Sequence, residues 1–138
     1  MEERKISIKG TVMIIEDEKD LCYLLSAVLR RNNLQTACAG SIREAKKKMQ
    51  EIKPSIVFID NHLPDGYGSD LIGTVKANYP DTKIIMITAH DSAHDIDKAL
   101  RRGADYFISK PFTASTINNT LHLLSMEPSK ATRFHLTS

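Results

Sequence analysis

Hydrophobic and polar positions along this chain switch repeatedly between two periods. Residues 11–15 form a short run rich in β-branched side chains and read as a buried strand. Directly after them, Leu21, Leu24, Leu25, Val28 and Leu29 recur three and four apart, the spacing of one helix face, and Asn32-Asn33 closes the segment. Residues 34–39 predict a weaker second strand. Gly40 turns the chain, Ser41-Ile42-Arg43-Glu44 has the form of a capping box, and Ile42, Ala45, Met49 and Ile52 share a helix face. Residues 55–59 are the most apolar strand and run straight into Asp60. A turn-rich stretch, 61–66, precedes a helix with Leu71, Ile72, Val75 and Tyr79 inward. Residues 83–88 predict the fourth strand. Asp91 or Ser92 then caps a helix carrying Ala93, Ile96, Ala99 and Leu100, which Gly103 ends. Residues 104–109 predict a fifth strand, with Tyr106 read as a surface position. Thr113 caps a last helix with Ile117, Leu121 and Leu124 inward, and Pro128 stops it.

Five strand–helix units with near-continuous apolar strands predict a parallel sheet covered on both faces. Right-handed crossovers leave a doubly wound, five-stranded sheet with five helices as the leading architecture. The 138 residues suit one domain, set at 11–126, with polar flanks at 1–10 and 127–138.

Composition narrows the function classes. Lys+Arg 19 against Asp+Glu 17 leaves a net charge of +2, which neither demands nor excludes an anionic partner; a dedicated nucleic-acid binder usually shows a stronger or more clustered excess. Trp 0 and 6% aromatics argue against stacking on single strands. No apolar run reaches membrane-spanning length and the charged N-terminus lacks the core of a secretory signal, so a cytoplasmic location is expected. Cys22 and Cys38 form no CxxC and no metal spacing; reduced, buried thiols are the expectation.

In an open parallel sheet, ligands gather where the strands end. The first strand delivers Glu16-Asp17-Glu18 there, the third Asp60, the fourth Thr88, and the fifth Lys110 followed by Pro111. Carboxylates converging in one crevice repel one another and call for a hard cation such as Mg²⁺. Lys110 and Thr88 add an ammonium and a hydroxyl suited to phosphoryl oxygens. The inventory fits phosphoryl transfer, with Asp60 as a fixed nucleophile. Each piece alone has a blander reading: an acidic helix start, a turn aspartate, a Lys-Pro punctuation. Their conjunction at one sheet edge is the specific signal.

At these residues the sequence resembles a response-regulator receiver domain, over about residues 11–126. Ile14-Ile15-Glu16-Asp17-Glu18, Asp60-Asn61-His62-Leu63-Pro64-Asp65-Gly66, Ile87-Thr88-Ala89 and the segment from Gly103 to Phe112 carry the resemblance. It implies a flavodoxin-like fold, with Asp60 as phosphoacceptor. It further implies that Asp17, Asp60 and the backbone carbonyl of His62 ligate Mg²⁺, with Mn²⁺ able to substitute, and that Glu16 acts through water. Lys110 and Thr88 would contact the phosphoryl group, the Lys110–Pro111 peptide would be cis, and Thr88 and Phe107 would form the switch. Phe107 stands where Tyr is commoner and offers no hydroxyl. His62 and His90 flank the expected path of hydrolytic water. The implied partners are a histidine kinase or histidine phosphotransfer protein and a downstream protein target, with no direct nucleic acid and no membrane. A phosphorylation-dependent dimer would use the face of the fourth helix, fifth strand and fifth helix.

Two rival classes stand beside this phosphorylation-controlled switch. One is a binding module on the same fold that works without phosphotransfer. The other is a multiple-turnover enzyme such as a phosphatase, disfavoured by the lack of a P-loop and of a second nucleophile. His90 and His94 lack a third metal ligand, and Lys46-Lys47-Lys48 and Arg101-Arg102 read as solvated helix faces.

Overall fold

The computed structural model describes residues 10–89 and 92–126. The flanks 1–9 and 127–138, His90, Asp91 as a cap candidate and Pro128 lie outside the described residues.

Five parallel strands form the central sheet: β1 (Thr11–Ile15), β2 (Gln35–Ala39), β3 (Ile56–Asp60), β6 (Lys83–Thr88) and β7 (Tyr106–Ser109). A small antiparallel hairpin, β4 (His62–Leu63) and β5 (Gly66–Tyr67), interrupts the sequence between β3 and the next helix. The helices are α1 (Lys19–Arg31), α2 (Ile42–Ile52), α3 (Gly68–Asn78), α4 (Ala93–Arg101) and α5 (Ala114–Met126). The sheet order β2-β1-β3-β6-β7 is the doubly wound arrangement, and the strand order reverses between β1 and β3.

Strand alternation sorts the core into two layers. Val12, Ile14, Ile56, Phe58, Ile85, Ile87, Tyr106 and Ile108 pack with Leu25, Leu29, Ile117 and Leu121 of α1 and α5. Met13, Ile15, Val57, Ile59, Ile84, Met86 and Phe107 pack with Ala45, Met49, Leu71, Ile72, Val75 and Ala99 of α2, α3 and α4. Both faces of the sheet are therefore dry, which is why the strands read as unbroken apolar runs.

Ser41 Oγ accepts from the Glu44 amide, Ser92 Oγ from the Asp95 amide, and Thr113 Oγ1 from the Thr116 amide, so three caps fall where the sequence puts them. Three expectations are corrected. Tyr106 is buried at 2% exposure, not at the surface, because α5 closes over its side of the edge strand β7. Leu24 stands 47% exposed; the buried stripe of α1 runs through Cys22, Leu25, Val28 and Leu29 instead. Cys22 and Cys38 are joined as a disulfide with Cα atoms 6.6 Å apart, because the inner face of α1 meets the end of β2. Spacing along the chain carries no sign of that meeting.

Candidate functional site

Sheet register assembles the site. Ile15 pairs with Ile59, so Glu16 follows on β1 level with Asp60 on β3. Asp60 pairs with Ile87, which puts Thr88 one residue further on. Thr88 pairs with Ser109, and the Lys110 amide donates to the Thr88 carbonyl at 2.9 Å. Residues separated by up to 94 positions thus converge on one edge.

Carboxylate oxygens of Glu16, Asp17 and Asp60 all lie within 4.8 Å of one another; Glu16 and Asp60 are buried and Asp17 is exposed. The Lys110 ammonium sits 3.0 Å from Glu16, 3.4 Å from Asp60 and 4.0 Å from Glu18. Burial pushes the Glu16 carboxyl up to about 7, with the Asp60 charge adding to it, against hydrogen bonds from the Glu18 amide and Lys110. Burial pulls Lys110 down, but the Glu16 hydrogen bond and the Asp60 and Glu16 charges outweigh it and hold the ammonium above its usual value. The pocket therefore carries more negative charge than its one lysine neutralises. Its donors are carboxylate oxygens, without thiolate or imidazole, which suits a hard divalent cation such as Mg²⁺.

Thr88 is buried at the edge of a cavity of about 340 Å³, whose walls also include His62, Met86, Ala99 and Phe107. Thr88 and Phe107 thus line one space. The His62 amide donates to Asp60 Oδ1 at 3.4 Å, and the His62 ring meets Tyr67 edge-on with centroids 5.6 Å apart. The Lys110–Pro111 peptide is cis. His94 is exposed on α4, Arg101 pairs with Asp97, and Arg102 pairs with Asp70, so these basic residues lie on solvated faces.

One residue escaped the sequence reading. A Cβ on Gly68 would stand 2.3 Å from the Asp60 carbonyl oxygen and 2.4 Å from Ile59 Cγ2. The first residue of α3 thus lies against the backbone of Asp60, and its amide donates to the Asn61 carbonyl at 2.9 Å. Only the Gly-x-Gly spacing after Asp65 hints at this close approach.

Comparison with known proteins agrees with this geometry. Residues 12–122 match the family model of the response regulator receiver domain. The chain is 35% identical over 99 residues to response regulator protein PilR of Pseudomonas aeruginosa, covering 72% of this chain and 22% of PilR. The curated relatives it matches are longer, and it spans between 22% and 46% of their length. Among solved structures, the beryllofluoride-activated NtrC4 receiver domain dimer superposes with a TM-score of 0.77 at 34% identity, covering 80% of this chain and 92% of that one. The CheY-like receiver domain protein from Methanospirillum hungatei shares the fold with a TM-score of 0.80 at 21% identity, covering 86% and 94%. No helix among the described residues is long and apolar enough to cross a membrane. By family match, sheet order and the make-up of its carboxyl edge, the chain belongs to the response regulator receiver domains, the signalling switches of two-component systems rather than classical enzymes.

Proposed function

We propose that this chain takes a phosphoryl group from a phosphohistidine on a kinase or phosphotransfer protein onto Asp60. An Asp60 carboxylate oxygen attacks phosphorus in line. The new O–P bond forms as the donor's P–N bond breaks, its electron pair returning to the imidazole nitrogen. The Lys110 ammonium, already 3.4 Å from Asp60, takes up charge on the phosphoryl oxygens, and the Thr88 hydroxyl hydrogen-bonds one of them. Asp17, Asp60 and the His62 carbonyl are the residues that would hold Mg²⁺ or Mn²⁺ directly, with Glu16 through water. Bound there, the ion supplies charge neutralisation for the phosphoryl oxygens. Water later cleaves the acyl phosphate, so the protein promotes its own dephosphorylation without turning over a separate substrate.

Movement of Thr88 toward the phosphoryl group changes the cavity it shares with Phe107. That change biases the face made by α4, β7 and α5 toward a target protein or a second copy. Phosphotransfer from an ATP-fed kinase implies work in the cytoplasm. The domain limits are those of the strands and helices, 11–126, between polar flanks.

The observation that carries this reading is three carboxylates with oxygens within 4.8 Å of one another, two of which, Glu16 and Asp60, pair with Lys110. Incubation with acetyl phosphate and Mg²⁺, followed by intact-mass measurement, should add one phosphoryl group. Asp60→Asn should abolish the adduct; an adduct of equal yield in that variant would refute the acceptor. The rival, a module that binds partners without phosphotransfer, predicts no adduct in the unmodified protein.

A further inference from the structure

The hairpin β4–β5 follows Asp60 directly yet has little pairing of its own. It contains only two residue pairs, His62 with Tyr67 and Leu63 with Gly66, and isolated hairpins of that size are not stable in water. Its base is tied down: the Gly68 amide donates to the Asn61 carbonyl at 2.9 Å, and the Ser69 amide donates to Asn61 Oδ1 at 3.0 Å. Its tip is tied elsewhere. Asp65 Oδ1 accepts from the Ile42 amide at 2.8 Å and Oδ2 from the Arg43 amide at 2.9 Å. Those amides open α2, and they have no partner within the helix. A carboxylate there also meets the positive end of the helix dipole. The two amide bonds hold Asp65 below the usual carboxylate range, so it stays charged. Gly66 brings the hairpin backbone onto Ile42, whose Cδ1 lies 3.0 Å from the site a Cβ would fill, and Gly66 sits at φ +149°. Leu63 and Ile42 pack against the same core layer.

We infer that Asp65 is a positioning residue for the metal and phosphoryl site. It clamps the hairpin tip to α2 and thereby keeps the His62 backbone at the depth of the Asp60 carboxylate. This inference rests on the reading of the acid cluster as a Mg²⁺ site. A plain helix cap would stabilise α2 without touching the site, and Ser41 supplies the comparison. Its Oγ caps the same helix through the Glu44 amide at 3.1 Å and leaves the hairpin alone.

The experiment measures Mg²⁺ dissociation constants by titration calorimetry on the whole chain for the unmodified protein, Asp65→Ala, Asp65→Asn and Ser41→Ala. Hydrogen exchange of the 61–68 segment is followed in parallel without metal. Asp65→Ala should weaken Mg²⁺ about tenfold, as loss of a residue that orients a metal ligand does, and speed exchange across 61–68. Ser41→Ala should change both by less than about twofold although it also lowers thermal stability. Asp65→Asn, which keeps one acceptor, should fall between, and it carries the test if the alanine variant does not fold. Equal Mg²⁺ affinity in the Asp65 variants and the unmodified protein would overturn the inference alone. Equal losses in Asp65→Ala and Ser41→Ala would reduce Asp65 to a helix cap. No Mg²⁺ binding by the unmodified protein would overturn the proposed function itself.

Discussion

Two lysines reach into this protein from opposite ends of the sheet, and their side chains are almost equally covered: 19% exposed for Lys76 and 18% for Lys110. Burial does not distinguish them; their partners do. At the amino edge, Lys76 donates to Asp105 Oδ2 and to the Thr82 carbonyl, both at 2.8 Å, and the same Asp105 oxygen accepts from the Ile84 amide at 2.8 Å. One positive charge meets one negative charge, and neighbouring backbone groups use what remains. At the carboxyl edge, Lys110 faces Glu16, Asp60 and Glu18 within 4.0 Å, with Asp17 beside them. There the charges do not cancel, and burial, with the Asp60 charge adding to it, pushes Glu16 up to about 7. The first arrangement is a rivet between α3, β6 and β7. The second is a crowded acid cluster, whose repulsion a bound cation would relieve under the function proposed above.

The largest expected break in this comparison is Asp105→Ala. It strands Lys76 and the Ile84 amide, and loss of one partner of a buried pair costs about 3–5 kcal/mol. Denaturant unfolding should show that loss; a change below about 1 kcal/mol would mean that the rivet is ornamental.

Next comes pH. Because folding raises Glu16 from 4.5 to about 7, its contribution to stability is complete below about 4.5 and is lost as pH climbs through 7. Metal-free protein should therefore weaken between pH 5 and pH 8, by at most about 3 kcal/mol on that shift. Millimolar Mg²⁺ should restore stability at pH 8 and do little at pH 5, where protonated Glu16 lowers the site's charge. Thermal melts across this window, with and without Mg²⁺, read the effect; a flat profile would contradict the upward push of burial and the Asp60 charge on Glu16.

Gly68→Ala should cost about 1–3 kcal/mol through overpacking, since the Asp60 carbonyl oxygen and Cγ2 of the buried, β-branched Ile59 both stand in the way. It should also slow labelling by acetyl phosphate in protein that remains folded. Unchanged stability together with unchanged labelling would show that α3 is free to shift outward.

The smallest effect has the opposite sign. Asp60→Asn removes one of the crowded charges, so metal-free protein at pH 8 should gain at most about 1 kcal/mol as the Asp60 part of the push on Glu16 is lost and the larger part, from burial, remains. Removing an acid thus weakens the amino edge and strengthens the carboxyl edge. Chemical denaturation of the two variants side by side tests that contrast.

Legibility in the sequence followed how local each cause was. Strands buried on both faces announce themselves as apolar runs, and Ser41, Ser92 and Thr113 cap helices through contacts three residues away. The site residues were legible because parallel β-α units send every strand end to one edge, so Glu16, Asp60, Thr88 and Lys110 had to meet. Glu44 departs from the capping-box reading: its carboxylate accepts from the Gly40 amide instead of from Ser41. The hairpin His62–Tyr67, which overlaps the 61–66 turn region, is too short to carry a period. Tyr106 deceived because an edge strand reads as exposed until a helix from further along covers it.

What this chain settles in one dimension is its alternation of strand and helix, the termini of most helices and the set of groups delivered to the sheet's carboxyl edge. Those depend on near-neighbour sterics and on the periodicity of burial. Only the folded molecule decided that Cys22 bonds Cys38, that Gly68 lies on the Asp60 backbone, that Asp65 fastens the hairpin to α2, and that Lys110 is outnumbered while Lys76 is matched. Each of those turns on distances between separate elements, which close packing sets and which linear spacing does not encode.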